Sequence, residues 1–166
     1  MRPAEIISVD NDELIGIVAS LANTIWREHY TPLIGKAQVD YMLDKFQSAL
    51  AIAGQIKDGF FYFLIRESEG NYVGYLGIVP KDKEMFLSKL YVLAEKRRNG
   101  FGWQAIEFIE KISREKGCGK IVLTVNKNNG DTIQVYSKFG FIITGAPVTD
   151  IGNGFVMDDF QLEKMI

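Results

Sequence analysis

Apolar residues recur along the first third of this chain at helical spacing. One amphipathic helix is expected to begin after a cap at Asn11 or Asp12, and a second to run from Gln38 to Ala53, where Gly54 ends it. The apolar positions are Leu14, Ile17, Val18, Leu21 and Ile25 in the first helix, and Val39, Met42, Leu43, Phe46, Leu50 and Ala53 in the second. The stretch between the two helices, residues 26–35, contains proline and glycine and is predicted to be a loop.

Shorter apolar and aromatic runs predict strands. A first strand is expected over residues 5–9, and three more follow as a meander. The turns at residues 68–71 and 80–83 each lead into a strand that returns antiparallel. The three strands of the meander cover residues 60–66, 72–79 and 85–92. The sheet is therefore expected to be largely antiparallel.

Helices and strands alternate in the second half of the chain. Residues 103–116 form the clearest amphipathic helix, and Gly117 ends it. The apolar strand after it, residues 120–126, must run parallel to the strand before it, because the helix crosses between the two strands. A short helix begins within residues 128–131 and is closed by Gly140. Two final strands, residues 141–144 and 154–162, are joined by a loop rich in glycine and proline.

Length and composition narrow the class of protein. At 166 residues the chain is expected to be one domain, residues 1–166. Its 19 basic and 21 acidic side chains give a net charge of −2, so no basic face for nucleic acid is expected. No apolar run approaches the roughly 18–20 residues of a membrane span, and acidic residues come too early for a secretory signal. With a single cysteine, Cys118, the sequence predicts a cytoplasmic protein without a membrane partner.

The segment after the fourth predicted strand has the composition of a phosphate-binding loop. The strand ends at Val92, and Arg97-Arg98-Asn99-Gly100-Phe101-Gly102 then leads directly into the amphipathic helix. Two glycines one residue apart let the backbone turn its N–H groups toward an anion, and the start of the helix adds partial positive charge. The two arginines supply cationic side chains beside the loop.

Two common phosphate-binding motifs explain this sequence poorly. A Walker motif fails because Gly35-Lys36 is followed by Ala37, with no hydroxyl for magnesium. A dinucleotide-binding motif fits Gly100 to Ala105 as G-x-G-x-x-A. Its acidic partner is missing, however, because the next strand ends with Val125-Asn126.

Two segments together resemble the GCN5-related N-acetyltransferase (GNAT) superfamily. Residues 97–102 match the family signature R/Q-x-x-G-x-G/A, which in the family binds the pyrophosphate of acetyl-CoA. Residues 129–141 are similar to the family segment N-x-x-A-I-x-x-Y-x-x-x-G-F, with Thr132 in place of the usual alanine. The detailed resemblance spans about residues 84 to 163.

This resemblance implies a fold and an activity. The fold is α+β in α/β/α layers: a mixed, mostly antiparallel sheet of about six or seven strands, with splayed parallel strands four and five, flanked by about four helices. The activity is direct attack of a primary amine, on a small molecule, peptide or protein, on the thioester of acetyl-CoA, without a metal. A noncatalytic acyl-CoA sensor or interaction module of the same fold is the alternative. A homodimer through the last strands is an expectation at the level of the family.

The resemblance also implies site residues. The backbone of Leu90, Tyr91 and Val92 would bond the pantetheine arm as a neighbouring strand would. The loop residues that would hold the phosphates are Arg97, Arg98, Asn99, Gly100, Phe101, Gly102 and Trp103. Asn129 would either contact CoA or cap the short helix. Tyr136 would donate a proton to the departing sulfur, and its alternative role is that of a core tyrosine.

The general base is less defined by sequence. Some family members carry a glutamate where this chain has Thr124, and a hydroxyl cannot serve as a base at neutral pH. A water relayed to a carboxylate or to the only histidine is therefore expected, and the candidates are Glu28, His29, Asp82, Glu84 and Asp158. Several acidic residues would suit a cationic acceptor such as a polyamine: Glu28, Asp40, Asp44, Asp158 and Asp159.

Overall fold

A computed structural model describes residues 1–166 as one eight-stranded sheet flanked by helices. The strands are β1 (Ala4–Ser8), β2 (Phe61–Glu67), β3 (Tyr72–Lys81), β4 (Glu84–Val92), β5 (Lys120–Asn126), β6 (Ile142–Gly145), β7 (Val148–Gly152) and β8 (Phe155–Met165). The α-helices are α1 (Asp12–Ile34), α2 (Lys36–Gln47), α3 (Ala49–Lys57), α4 (Phe101–Glu115) and α5 (Gly130–Lys138), and Ala94–Lys96 forms a 3₁₀ turn. None of these helices is both long and apolar enough to cross a membrane.

The helices form layers on both sides of the sheet, which confirms the α+β class. The strand order is β1-β2-β3-β4-β5-β8-β6, with β7 paired to β8. Helices α1 to α3 pack on one face, over a core that includes Val18, Ile25 and Tyr75. Helix α4 and Tyr136 of α5 pack on the other face, over a core that includes Leu76 and Ile109. The alternation of side chains along each strand supplies both cores.

Strands β4 and β5 are parallel, as predicted, but they pair over only three residues. Their register runs from Glu84 opposite Lys120 to Phe86 opposite Val122. Beyond that point β4 stays paired with β3 and β5 stays paired with β8, each to its end. The two strands therefore diverge, and a gap opens in the middle of the sheet. This confirms the splayed strands four and five.

The predicted loop at residues 26–35 is wrong, because α1 continues to Ile34. Trp26 and Tyr30 lie one turn apart on the side of α1 that faces the sheet, so their packing extends the helix. Pro32 falls in the last turn, where it interrupts little of the helix, and Gly35 ends α1 with a φ of 86°.

The single helix predicted over residues 38–53 is two helices. Ser48 has extended backbone angles, and its hydroxyl accepts a hydrogen bond from the Ala51 N–H at 3.1 Å, so it caps the start of α3. The apolar spacing continues through this break and hides it. The structure thus has five α-helices where about four were expected. It has eight strands where six or seven were expected, because β7 lies in the predicted final loop.

A bulge in β4 changes which side chains face the two helix layers. Gly77 of β3 is opposite Lys89, and the next residue, Ile78, is opposite Leu87, so Ser88 has no partner. Met85 and Leu87 point into the core under α4. After the bulge, Leu90 and Val92 point the same way, while Lys89 and Tyr91 point toward α1.

Gly74 is a position where the sheet tolerates no side chain. A Cβ atom there would lie 2.3 Å from the carbonyl oxygen of Tyr91 on β4. Gly74→Ala should therefore displace β4 and lower the free energy of unfolding by about 1–3 kcal/mol. For a chain of this size, thermal denaturation should show a loss of roughly 2–10 °C in Tm.

Gly16→Ala is the matched control, because a Cβ at this position in α1 would meet nothing within 4 Å. Alanine there should raise stability by about 0.4–1 kcal/mol. A Gly74→Ala protein as stable as the wild type would contradict the close contact between β3 and β4.

Candidate functional site

The gap between β4 and β5 opens, on the side of α1 and α2, into a cavity of about 180 Å³. Helices α1 and α2 form its roof, and the diverging strands form its floor. Its lining residues are Trp26, Tyr30, Ile34, Gln38, Met42, Phe46, Phe86, Ser88, Lys89, Tyr91, Thr124, Asn126, Met157 and Asp159. The wall is largely apolar and aromatic, with a few convergent polar groups, which is the usual character of a small-molecule site.

Lys89 places a positive charge in this cavity. Because of the bulge, both Ser88 and Lys89 line the cavity, and the Lys89 ammonium donates to the Ser88 hydroxyl at 2.7 Å. No carboxylate lies within ion-pair distance of it. Burial lowers the pKa of Lys89 to about 8. Lys89 did not emerge from the sequence, because only the bulge turns it toward the cavity.

Asp159 places a negative charge in the same cavity. It lies on β8 opposite Asn126 and is 6% exposed, and no cation lies within ion-pair distance of its carboxylate. Burial and the neighbouring Asp158 raise its pKa, and a hydrogen bond with Thr124 opposes that rise. From the sequence, Asp159 was expected only as one of several acidic residues suited to a cationic acceptor, and not as a base. The one available signal was an aspartate in the apolar run that forms β8.

A cluster of aromatic side chains holds α1 over the gap. The hydroxyls of Tyr30 and Tyr91 are hydrogen-bonded at 3.0 Å, and the Trp26 indole donates to the Tyr75 hydroxyl at 3.1 Å. The Trp26 and Tyr91 rings lie 5.5 Å apart between centroids. Tyr75 in turn donates to Gln47 at the end of α2 at 2.6 Å. The polar tips of this cluster are satisfied, so it can be rigid in a buried position.

Tyr136 lies on the opposite face of the sheet and is 8% exposed. Its ring packs edge-on against Phe139 and Phe141. Burial raises its pKa, and the nearby Tyr30 raises it further. Tyr30 belongs to the α1 face, so this electrostatic effect acts from one face of the sheet to the other.

The loop before α4 presents a row of backbone donors. The N–H groups of residues 98–103 donate to no backbone acceptor, and the first helical bond runs from the Gln104 N–H to the Gly100 carbonyl at 3.1 Å. Arg98 and Gly100 have φ angles of 63° and 84°. This left-handed backbone turns successive N–H groups to one side, where the helix dipole adds positive potential. The arrangement suits a phosphate or diphosphate.

Three predicted residues meet where the gap reaches this loop. The Arg97 Nε donates to the carbonyl oxygen of Val92, the last residue of β4, at 3.2 Å. Asn129 is buried and makes no capping hydrogen bond to α5; it contacts His29 instead. Burial lowers the pKa of His29, and the positive charge of Arg97 lowers it further, against the opposing effect of that contact. Arg97, Asn129 and His29 thus surround the open end of the gap.

The remaining base candidates do not line the cavity. Glu28 on α1 and Asp82, in the turn before β4, are exposed. Glu84 begins β4 at the closed end of the gap and lies 3.1 Å from a lysine. Asp158 is exposed and lies 2.7 Å from another lysine. No three His, Cys, Asp or Glu side chains are grouped so that they could hold a metal ion.

Comparison with known proteins gives one family. The family model described as "Acetyltransferase (GNAT) family" matches residues 18–141, which include the cavity roof, the donor loop and Tyr136. No curated protein matches the sequence.

Solved structures share the whole architecture. The PaiA N-acetyltransferase from Thermoplasma acidophilum, in complex with coenzyme A, superposes with a TM-score of 0.83 at 18% identity, covering 99% of each chain. A GCN5-related N-acetyltransferase from Rhodopseudomonas palustris gives 0.83 at 14% identity, covering 100% of this chain and 98% of the other. A chimera of the spermidine N-acetyltransferase SpeG from Vibrio cholerae and hSSAT gives 0.72 at 15% identity, covering 98% and 95%. At such identities the likeness concerns the fold.

Asp159→Asn should stabilise the protein at neutral pH. A carboxyl whose pKa is raised in the folded state loses its proton less readily there than in the unfolded chain, so ionisation costs stability once the pH exceeds the ordinary value of 3.8. The amide removes this cost. The gain in Tm over the wild type should be present at pH 7 and disappear as the pH falls below about 4.

Asp82→Asn is the control for this measurement, since Asp82 is exposed and asparagine tolerates its φ of 58°. Its Tm should follow that of the wild type across the same pH range. A lower Tm for Asp159→Asn than for the wild type at pH 7 would show that the ionised carboxylate does not destabilise the folded protein.

Proposed function

Because the chain belongs to the acetyltransferase (GNAT) family, we propose that it transfers the acetyl group of acetyl-CoA to the primary amine of a small molecule, by direct attack of the amine on the thioester. The single observation that carries this proposal is the gap between β4 and β5. It joins a row of free backbone donors on one side to a cavity with a carboxylate on the other. The geometry thus offers separate places for a cosubstrate and an acceptor.

The cosubstrate would enter from the open end of the gap. Its diphosphate suits the free N–H groups of residues 98–103, with Arg97 beside them. Its pantetheine arm suits the edge of β4 from Leu87 to Val92, which faces β5 without pairing to it. An amide-bearing chain laid there adds main-chain hydrogen bonds as an extra strand does. The thioester would then lie where the gap meets the cavity, near Ser88.

The acceptor amine would bind in the cavity and must be neutral when it attacks, because an ammonium has no free electron pair. Its nitrogen forms a bond to the thioester carbon, and the proton released from nitrogen passes to a base. Asp159 is the base we favour, because it is buried, lines the cavity and contacts Thr124. Its raised pKa makes it a stronger base than an exposed aspartate. The Thr124 hydroxyl is too weak a base to keep the proton, so it would only relay the proton from the amine to the Asp159 carboxylate.

The departing sulfur needs a proton donor on the other face of the gap. When the carbon–sulfur bond breaks, the electron pair stays on sulfur, and we assign the donation of a proton to this sulfur to the Tyr136 hydroxyl. Burial raises the pKa of Tyr136, so the phenol remains protonated at neutral pH and available as a donor. The Tyr136 hydroxyl would therefore first stabilise the sulfur with a hydrogen bond as negative charge develops on it.

The proposal is tested by two measurements on the same protein. Calorimetry should detect binding of CoA and acetyl-CoA, weakened about tenfold in Arg97→Ala by loss of a charge-assisted contact. Thiol release from acetyl-CoA should then depend on an added amine, drawn from amino acids, polyamines, aminoglycosides and peptide N-termini. Arg114→Ala, at the far end of α4, is the control and should bind CoA like the wild type.

Two outcomes would overturn the proposal. If calorimetry detects no heat of binding with any CoA species, acetyl-CoA is not the cosubstrate. Binding of acetyl-CoA without thiol release for every acceptor would favour the noncatalytic sensor instead.

Tyr136→Phe should lower kcat by about 10²-fold while leaving the KM for acetyl-CoA nearly unchanged, since it removes only the proton donor. Its Tm should not fall, because no hydrogen bond to the protein is lost with the hydroxyl. Tyr41→Phe is the opposite control. It removes a hydroxyl that donates to the Ile151 carbonyl at 2.7 Å away from the gap, so stability should drop and kcat should not. Full kcat in Tyr136→Phe would assign Tyr136 to the core alone.

A further inference from the structure

Two opposite charges line the acceptor cavity, and neither has an ionic partner in the protein. Lys89 comes from the bulge in β4 and Asp159 from β8, on the other side of the gap. Each lies more than 4 Å from any side chain of opposite charge, including each other. A charge removed from water without a counter-charge is unfavourable, so a cavity with two such charges is built to receive complementary ones.

We propose that the acceptor is a small amino acid, whose carboxylate binds Lys89 and whose amine is held by Asp159. This rests on the proposed function and narrows its acceptor to molecules that carry both charges. Asp159 is the one buried acidic group in the cavity and therefore faces the amine. Lys89 remains for an anionic group, because an ammonium beside a second ammonium would repel it.

The protonation of Lys89 agrees with this assignment. With a pKa of about 8, it is mostly cationic at pH 7, and a bound carboxylate would favour the charged form further. The hydroxyl of Ser88, in the wall beside it, accepts from Lys89 and can donate a hydrogen bond to a carboxylate. The ammonium therefore sits in a polar corner of an otherwise aromatic cavity.

The size of the cavity also favours a small zwitterion. Its volume of about 180 Å³ is only slightly larger than the roughly 150 Å³ apolar cavity that accommodates benzene. An acceptor with about five to nine non-hydrogen atoms fills this space.

The acidic residues that suggested a polyamine do not form a site. Glu28 and Asp44 are exposed on separate helices, and Asp158 is paired with a lysine. Asp40 is engaged by Arg27 and Lys36 at 2.5 and 2.7 Å. Asp159 alone remains free for an amine.

The test compares matched acceptors at a fixed concentration of acetyl-CoA. Glycine, alanine, β-alanine and γ-aminobutyrate are each assayed against the corresponding carboxamide and the corresponding amine without the carboxylate. The best acid should exceed its carboxamide at least tenfold in kcat/KM. An α-amino group next to an amide has a pKa near 8, so the carboxamides of glycine and alanine offer more free amine at assay pH. A preference for those acids therefore cannot come from amine basicity.

Lys89→Met should reduce the acid-to-carboxamide ratio of kcat/KM at least tenfold, and Lys89→Arg should restore part of it. Lys89→Glu should invert the preference, so that a short diamine becomes a better acceptor than any acid. Lys127→Met removes a nearby positive charge that lies outside the cavity lining, and it should keep the wild-type ratio.

Two results would overturn the inference. A wild-type protein that acetylates amines or carboxamides as well as acids has no carboxylate subsite. Equal losses for all acceptors in Lys89→Met would assign Lys89 to the chemistry or to folding. In both cases amines are still acetylated, so the proposed function stands. If no amine in the set or in the wider panel is acetylated, the proposed function fails as well.

Discussion

The early end of the pairing between β4 and β5 is the constraint on which the rest of this molecule depends. Each strand keeps its other neighbour to the end, so the sheet remains intact while one internal edge of each strand stays unpaired. Unpaired strand edges on a protein surface invite association with other chains. Here they face inward and are covered by helices on both faces of the sheet. The fold thus keeps free main-chain N–H and C=O groups available to a ligand without exposing a long unpaired strand edge on the surface.

The two helix layers have different tasks around this gap. On one face, α4 brings its N-terminus and the left-handed loop at residues 98–100 to the open end, where an anion is stabilised by backbone groups. On the other face, hydrogen bonds among Trp26, Tyr30, Tyr75, Tyr91 and Gln47 tie α1 and α2 to β3 and β4. Buried polar networks of this kind are specific in geometry when all their members are satisfied. The cavity roof is therefore positioned by polar contacts as well as by apolar packing.

Much of this architecture could be predicted from the sequence, because it depends on local patterns. The strands of the meander, the helix after the glycine loop and the parallel crossover all follow from periodicity and connection rules. The errors came where a tertiary contact overrides a local signal. Trp26 and Tyr30 continue α1 through a stretch rich in loop signals, and the Ser48 cap divides a helix whose apolar spacing is unbroken. Lys89 and Asp159 could not be assigned, since their meeting depends on a bulge and on strands distant in sequence.

The bulge at Ser88 decides which side chains of β4 line the cavity. Side chains of a strand alternate between its two faces, so an additional residue exchanges the faces of everything that follows unless a bulge absorbs it. If Ser88 took a regular position in the ladder, Leu90 and Val92 would enter the cavity, while Lys89 and Tyr91 would be driven into the core beneath α4. The lining of the cavity is therefore set by whether one residue bulges out of the ladder, with no change in any side chain.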